Sequence, residues 1–324
     1  MGMLRGIVAA LTIAASAGSC LAQGFPVRPV TIIVPFAAGG PTDTLARILA
    51  ERLRVPLGQT VVVENVTGAS GSIAVGRVAR SAPDGYTLSI GHVGTHVLNG
   101  AIYNLQYDLL KDLDPIALVA NNPQLIIAKE KMPGEDLRGA IAWLKANPGR
   151  ASVGSSGAGS PSHVAALHFQ TLTGTQFQVI PYRGAGPALQ DMLAGQIDMM
   201  FDQASNALPH VRGGKIRAYA VTAPQRLAAA PEIPTVDEAG APGFYIAVWH
   251  GLWAPKGTPR EIIDRLNAAL VETLADERVR ARLAELGQDI PRREQQTPEA
   301  LGAHHRAEIE RWWPVLKAAG VKAD

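Results

Sequence analysis

The 324-residue chain holds a single cysteine, Cys20. One cysteine forms no internal disulfide framework, so the fold must rest on its hydrophobic core. Charge of one sign is also missing: 30 Lys+Arg face 28 Asp+Glu, a net +2. That balance excludes the strong basic excess that normally marks a nucleic-acid-binding surface, and no nucleic-acid partner is expected. Beyond the N-terminal segment no apolar run reaches the roughly 18–20 residues that a membrane span needs. Nucleotide and nucleophile signatures are absent as well. There is no G-x-x-x-x-G-K-[ST]. Gly157-Ala-Gly159-Ser-Pro-Ser162 lacks the third glycine of a dinucleotide fingerprint. Gly154–Ala158 and Gly68–Ser72 each miss the last glycine of a G-x-S-x-G elbow. His92 and His96 sit among Gly91 and Gly94, which predicts a loop and not a ligand-bearing helix face. With no third ligand in view, neither metal nor cofactor is expected.

What is present begins with an N-terminal segment carrying one cation, Arg5, then an apolar run from Gly6 to Ala17 and small residues up to Gln23. That layout predicts a secretory signal peptide over residues 1–22, cleaved after Ala22, and hence export to the periplasm. Ala17-Gly-Ser-Cys20 is a weaker alternative, a lipoprotein cleavage site lacking the usual leucine. The whole chain is 47% hydrophobic and 18% charged, enough apolar material for real cores, and its length suits two domains.

Short β-branched runs alternate with helical periodicity, the pattern of an α/β protein with mainly parallel sheets. Val30–Val34, Thr60–Glu64, Tyr86–Ile90, Ile116–Val119, Leu125–Ala128, Ala151–Gly154, Gln176–Pro181, Ile197–Phe201 and Ala218–Thr222 read as strands. Asn121-Asn122-Pro123 reads as a break between two of them. Helices are predicted over Pro41–Leu53, Ser72–Ser81, Gly139–Ala146, Pro161–Leu172 and Pro187–Leu193. The Pro- and Ala-rich stretch up to Gly243 reads as a connection. Thr258-Pro-Arg-Glu261 has the spacing of a capping box, and Thr297-Pro298 repeats the Thr cap.

Three segments share one grammar: strand end, tiny residues, then proline opening a helix. They are Val34-Pro-Phe-Ala-Ala-Gly-Gly-Pro41, Val153-Gly-Ser-Ser-Gly-Ala-Gly-Ser-Pro161 and Tyr182-Arg-Gly-Ala-Gly-Pro187. Small residues let a ligand approach the backbone, and helix starts offer unpaired N–H groups with the positive end of the dipole. Together they predict an anion site, although each loop alone is an ordinary strand–helix connection. Asp43, third in its helix, either caps a free N–H or holds an amine or water. Arg183 either pairs with a ligand carboxylate or is simply exposed. Asp202 closes a strand, a usual place for ligand-facing groups in open α/β sheets. Trp249-His250 and Trp253 form either an aromatic wall or core, and His304-His305 read as a solvated helix face.

With these loops go Pro83-Asp-Gly-Tyr-Thr-Leu88, Pro181-Tyr-Arg-Gly184, Met199-Met-Phe-Asp202, Ile233-Pro-Thr-Val-Asp-Glu-Ala-Gly240 and Ala254-Pro-Lys-Gly-Thr-Pro259, in that order. From about Phe25 to the C-terminus the chain resembles the substrate-binding receptors of tripartite tricarboxylate transporters, the Bug family of periplasmic solute receptors. The resemblance implies a two-lobed, type II periplasmic-binding-protein fold with a ligand cleft between lobes. It places carboxylate-binding backbone on Phe36, Ala37, Ala38, Gly39, Gly40 and Thr42, with Asp43 beside them. The second loop would contribute Ser156, Gly157, Gly159 and Ser160, with His163 behind. Tyr182, Arg183 and Asp202 match positions near the cleft. Two departures stand out. Leu167-His168 replaces a common Glu-Leu, and His92, near Thr95, stands where small hydroxyl residues are usual, so it reshapes the specificity pocket.

The expectation is therefore a monomeric, non-catalytic receptor that takes a small organic carboxylate to membrane permease subunits. Lobe 1 would comprise 24–122 and 245–324, and lobe 2 would comprise 123–244. An exported α/β hydrolase or lyase on a carboxylate or phosphate, and a receptor serving a membrane sensor, are the alternatives.

Overall fold

The computed structural model describes residues 24–318; the proposed signal peptide, its cleavage site and Cys20 lie outside the described residues. In chain order the main elements are β1 (Val30–Val34), α1 (Pro41–Leu57), β2 (Val61–Asn65), α2 (Ser72–Ala79), β3 (Thr87–His92) and β4 (Leu113–Lys129). Then come α3 (Leu137–Ala146), β5 (Ser152–Ser155), α4 (Pro161–Thr173), β6 (Gln178–Pro181), α5 (Ala185–Leu193) and β7 (Met199–Gln203). The chain closes with α6 (Ala204–Arg212), β8 (Ile216–Val221), β9 (Ala247–Pro255), α7 (Arg260–Ala275), α8 (Glu277–Glu285) and α9 (Pro298–Ala318).

Nine strands form one sheet in the order β2-β1-β3-β9-β4-β7-β5-β6, with β8 on the other edge of β4. The expected parallel pairs are β1 with β2 and β3, and β5 with β6 and β7. β4 runs antiparallel to β7, β8 and β9, so each half of the sheet is mixed. The expected break at Asn121-Asn122-Pro123 does not occur. β4 passes straight through it because its partner changes there: Pro123 still pairs with Ala247 of β9, and Gln124 already pairs with Gln203 of β7. Asn122 is buried without losing bonds, since its amide donates to Gln203 Oε1 and Ser205 Oγ, and Asn121 stays exposed.

Helices cover both faces of the sheet and create four cores. Two draw their fully buried side chains from residues up to 120 and from 248 onward, two from residues 125–244. None mixes the two sets among its buried side chains, although half-buried Val164 of α4 packs against a core of the first set. Only β4, β9 and the residues beside them carry the chain across.

Several helix starts differ from expectation. α5 begins at Ala185, capped by Gly184, which puts Pro187 third in the helix instead of first. The Thr258 capping box does not form: Thr258 Oγ1 donates to the Pro255 carbonyl, and α7 starts behind Pro259. Thr297 does cap its helix, accepting from Ala300 N. The connecting stretch instead holds a complete capping box, Thr235 with Glu238, on the single turn Val236–Ala239. No helix among the described residues is long and apolar enough to cross a membrane.

Candidate functional site

The loops after β1, β3, β5 and β6 converge where the two core sets face each other. In the loop after β1, Asp43 is the organising group. Its buried carboxylate accepts from Gly39 N, Asn65 Nδ2 and Arg47 Nε, each at 2.9 Å. Asn65 Nδ2 also donates to the Phe36 carbonyl. Burial alone would raise the Asp43 carboxyl, but Arg47 and these donors outweigh it and hold it below the usual range. Asp43 is thus a brace that shapes the loop. It also takes the Gly39 N–H, leaving the start of α1 (Gly40, Pro41, Thr42) to line the cleft. Thr42 Oγ1 lies 3.2 Å from His250 Nε2 of β9.

The loop after β5 is built the same way. Ser160 caps α4 by accepting from His163 N, Ser162 Oγ accepts from Ser156 N, and His163 Nδ1 accepts from Gly159 N at 2.8 Å. Gly159 and Gly157 hold φ of 73° and 122°, backbone that a side chain adopts only with strain.

His92 ends β3 with its ring stacked on Phe36 at 5.0 Å and edge-on to His250. Gly94 N donates to its Nδ1, so the neutral ring carries its proton on Nε2. Burial pushes the ring's pKa down to about 3, which keeps that neutral donor form at every physiological pH. Thr95 does not face the cleft; it bonds the His92 backbone and His96 Nδ1. His96, expected on a loop, sits in a single π-turn (Gly94–Leu98), stacked on Trp253 at 3.8 Å.

Two adjoining pockets result. One is lined by Phe36, Gly40, Pro41, Thr42, His92, Ser156, Ala185 and Gln203. The other is lined by His92, Gln124, Ser156, Pro161, Ser162, Ala185, Phe201, Asp202, Gln203 and Val248. Each leaves about 10 Å³, room for one water. Of the expected residues, Phe36, Gly40, Thr42, His92, Ser156 and Asp202 reach these pockets. Ala37, Ala38 and Gly39 form the loop wall. Gly157, Gly159, Ser160 and His163 shape the second loop.

Tyr182 turns away, its hydroxyl donating to Asp191. Arg183 is exposed. Gln124, Ser162, Ala185, Gln203 and Val248 were not foreseen. They reach the pocket through the β4–β7 and β4–β9 registers and the true start of α5, and the offset between the start of α5 and Pro187 was the one local signal.

The two sides are shut on each other. Ser70 Oγ and the Tyr103 hydroxyl both donate to the Ala158 carbonyl, at 2.6 and 2.9 Å. A Cβ on Gly186 would lie 3.2–3.4 Å from the backbone of Gly40, Gly39 and Ala38. Among the described residues, Ala69 and Ser70 are the non-glycine residues with positive φ, 45° and 47°, a strain localised at this contact.

A larger cavity of about 620 Å³ lies on the opposite face of β4 and β9, lined by Trp249, Trp312, Tyr245 and His304 among others. Part of its polar lining is already engaged. Both indole N–H groups donate to Glu308 Oε2, and Arg226 pairs with Glu238. Trp249 therefore walls this rear cavity, Trp253 is core, and His250 faces Thr42. His305 is no solvated residue: it is buried and bonds the His96 carbonyl. No cluster of metal-ligating side chains occurs among the described residues.

The sequence profile of the tripartite tricarboxylate transporter family receptor matches residues 45–321. The periplasmic binding protein BugD is 40% identical, with a TM-score of 0.89 over 92% of this chain and 100% of its own. MatC from Rhodopseudomonas palustris, solved with bound malate, is 43% identical, with a TM-score of 0.86 over 90% of this chain and 100% of its own. A second R. palustris protein, solved with adipate, is 35% identical, with a TM-score of 0.88 over 92% of this chain and 100% of its own. The fold is that of a periplasmic binding protein.

Proposed function

The chain belongs to the tripartite tricarboxylate transporter receptor family, and on that premise we propose that it captures a small organic carboxylate and delivers it to a membrane permease. The cleft lies between one lobe of residues 24–122 with 245–324 and a second of residues 123–244. The separation of the four cores at β4 and β9 supports that division.

The observation that carries the reading is the convergence of three helix starts from both lobes on two adjoining pockets, α1 on one, α4 on the other and α5 on both. Helix starts supply N–H donors and positive potential without any formal charge, so a carboxylate stabilises the closed state more than the open one. The shut pockets have no room for an organic acid to enter. Ligand exchange therefore proceeds through an open form, with β4 and β9 as the hinge.

The receptor acts as a monomer in the periplasm, exported by its first 22 residues, and turns nothing over. Ser156 Oγ is bonded to Ser162 Oγ, and His163 spends its Nδ1 on Gly159. Ser156, Ser162 and His163 of the second loop thus form no nucleophile–base pair, which favours a receptor over a hydrolase. Titration calorimetry against a panel of mono-, di- and tricarboxylates, with NMR of the recovered ligand, tests the reading. One-to-one binding of unchanged ligand is expected. Silence across the panel, or product formation, refutes it.

A further inference from the structure

Asp202 poses a physical problem for an anion cleft. Its carboxyl is 2% exposed and lines the inner pocket. It has no cation within ion-pair reach among the described residues. Its two oxygens accept from neutral donors only, Gln203 N at 2.9 Å and Asn206 Nδ2 at 2.6 Å. Both bonds come from residues at or just beyond the end of β7, so neither brings compensating charge from another element. The facing residues are Gln124 and Val248 from the hinge strands, Pro161 and Ser162 from α4, Ala185 from α5, and His92 from β3. His92 is the one other titratable group in that lining, and it is neutral. An organic anion entering this pocket would meet a like charge that no cation offsets, in a buried site where such repulsion is strong.

We propose that Asp202 enters the ligand complex as the neutral carboxylic acid, so that the cleft takes up an organic anion together with one proton. The proposal rests on the carboxylate-receptor reading and adds the chemical state of the site to it. In the complex the Asp202 O–H and the His92 Nε2–H are two neutral donors for a group that can only accept. The cleft then favours ligands that present a bare carboxylate there over ligands that present an ammonium. Burial pushes the Asp202 carboxyl up to about 7 even in the absence of ligand, with Asn206 and Gln203 pulling the other way. An arriving anion raises it further. The free receptor thus sits near half-protonation at neutral pH, and binding completes the protonation.

The linkage has a fixed sign. Below the free-state value the proton is already in place and affinity is flat; above it, affinity falls about tenfold per pH unit. Calorimetry with L-malate from about pH 6 to about pH 8.5 is expected to show an affinity loss of about 30-fold. L-malate remains a dianion over that range. Repeating the titration near pH 8 in two buffers of different ionisation enthalpy counts protons directly, and close to one taken up per malate is expected. Asp202→Asn, permanently neutral, is expected to flatten the pH profile, but the proton count on the unaltered protein decides the matter if that variant folds poorly. L-Aspartate, carrying an ammonium, serves as the contrast. Malate binding with no proton uptake, or aspartate binding that strengthens as pH rises through 7, overturns the proposal and leaves the receptor reading standing. No binding of malate, succinate or adipate at any pH overturns both.

Discussion

Ser70 and Tyr103 form a latch whose removal separates closure from folding. Both donate to the Ala158 carbonyl across the cleft, and the Tyr103 hydroxyl also reaches Ser70 Oγ at 3.1 Å. The two bonds to Ala158 exist only when the two sides are together, whereas the Tyr103–Ser70 bond lies within one side. Tyr103→Phe keeps the ring that packs against its core and Ser70→Ala keeps the backbone, so deleting the two hydroxyls is expected to leave the fold of each side intact. A hydrogen bond of this kind contributes about 1 kcal/mol net. The double variant Ser70→Ala with Tyr103→Phe therefore weakens the closed complex by about 2 kcal/mol, equivalent to about 30-fold in affinity. Each single variant accounts for about fivefold, with some coupling because they share one acceptor.

The assay is calorimetry with malate beside urea unfolding of the ligand-free protein. Affinity is expected to fall in the order wild type, single, double, while the unfolding midpoint stays put. Unchanged affinity in the double variant refutes the latch. An unfolding loss as large as the binding loss shows that these bonds serve folding instead.

Three further outcomes follow from the same geometry. Gly186→Leu places bulk against the backbone of Ala38 to Gly40 without positive-φ strain, so at least tenfold weaker malate binding is expected with an unchanged or slightly raised melting temperature; full affinity would show that the lobes need not meet there. Gly39→Ala gives the contrast. Open space surrounds its Cβ but φ is 83°, so it is expected to act through backbone strain, lowering stability by about 1 kcal/mol in denaturant unfolding.

The third concerns pH. His92 and His305, held by burial to about 3 and about 4, stay neutral in the fold but protonate in the unfolded chain below about 6.5. Between about pH 6 and pH 4.5 the unfolded state thus binds two more protons at these sites, while Asp202, raised by burial, returns one to the folded state. The net of somewhat under one proton from these three groups means stability falls by roughly 1 kcal/mol per pH unit on acidification. His96 and His250, lowered by burial in the same direction, steepen it. Denaturant unfolding that is flat across this range contradicts the neutral histidine cluster.

Local grammar made part of this molecule legible. Strand, tiny residues and proline placed the starts of α1 and α4 at Pro41 and Pro161, and the third position of Asp43 marked it as a cap for a free N–H. Where the deciding contact is distant in sequence, the same reading failed. β4 looks broken at Asn121–Pro123 because the partners of buried Asn122, Gln203 and Ser205, lie some eighty positions away. His305 looked solvated because its partner, the His96 carbonyl, belongs to a turn over two hundred residues earlier. Gln124, Gln203 and Ser162 reach the pocket through strand register and loop geometry, which no motif encodes. Proline position was itself an unsafe guide at Pro187, since Gly184 had already started that helix.

A crystal structure of the protein grown with L-malate tests the central claim most directly. A malate carboxylate bound between the start of α1 at Gly40–Thr42 and the start of α4 at Pro161–Ser162, with the Ser70–Ala158 contact closed over it, is the expected result. Malate in the rear cavity beside Trp249 and Trp312, with the pocket at His92 and Asp202 bare, would contradict the account.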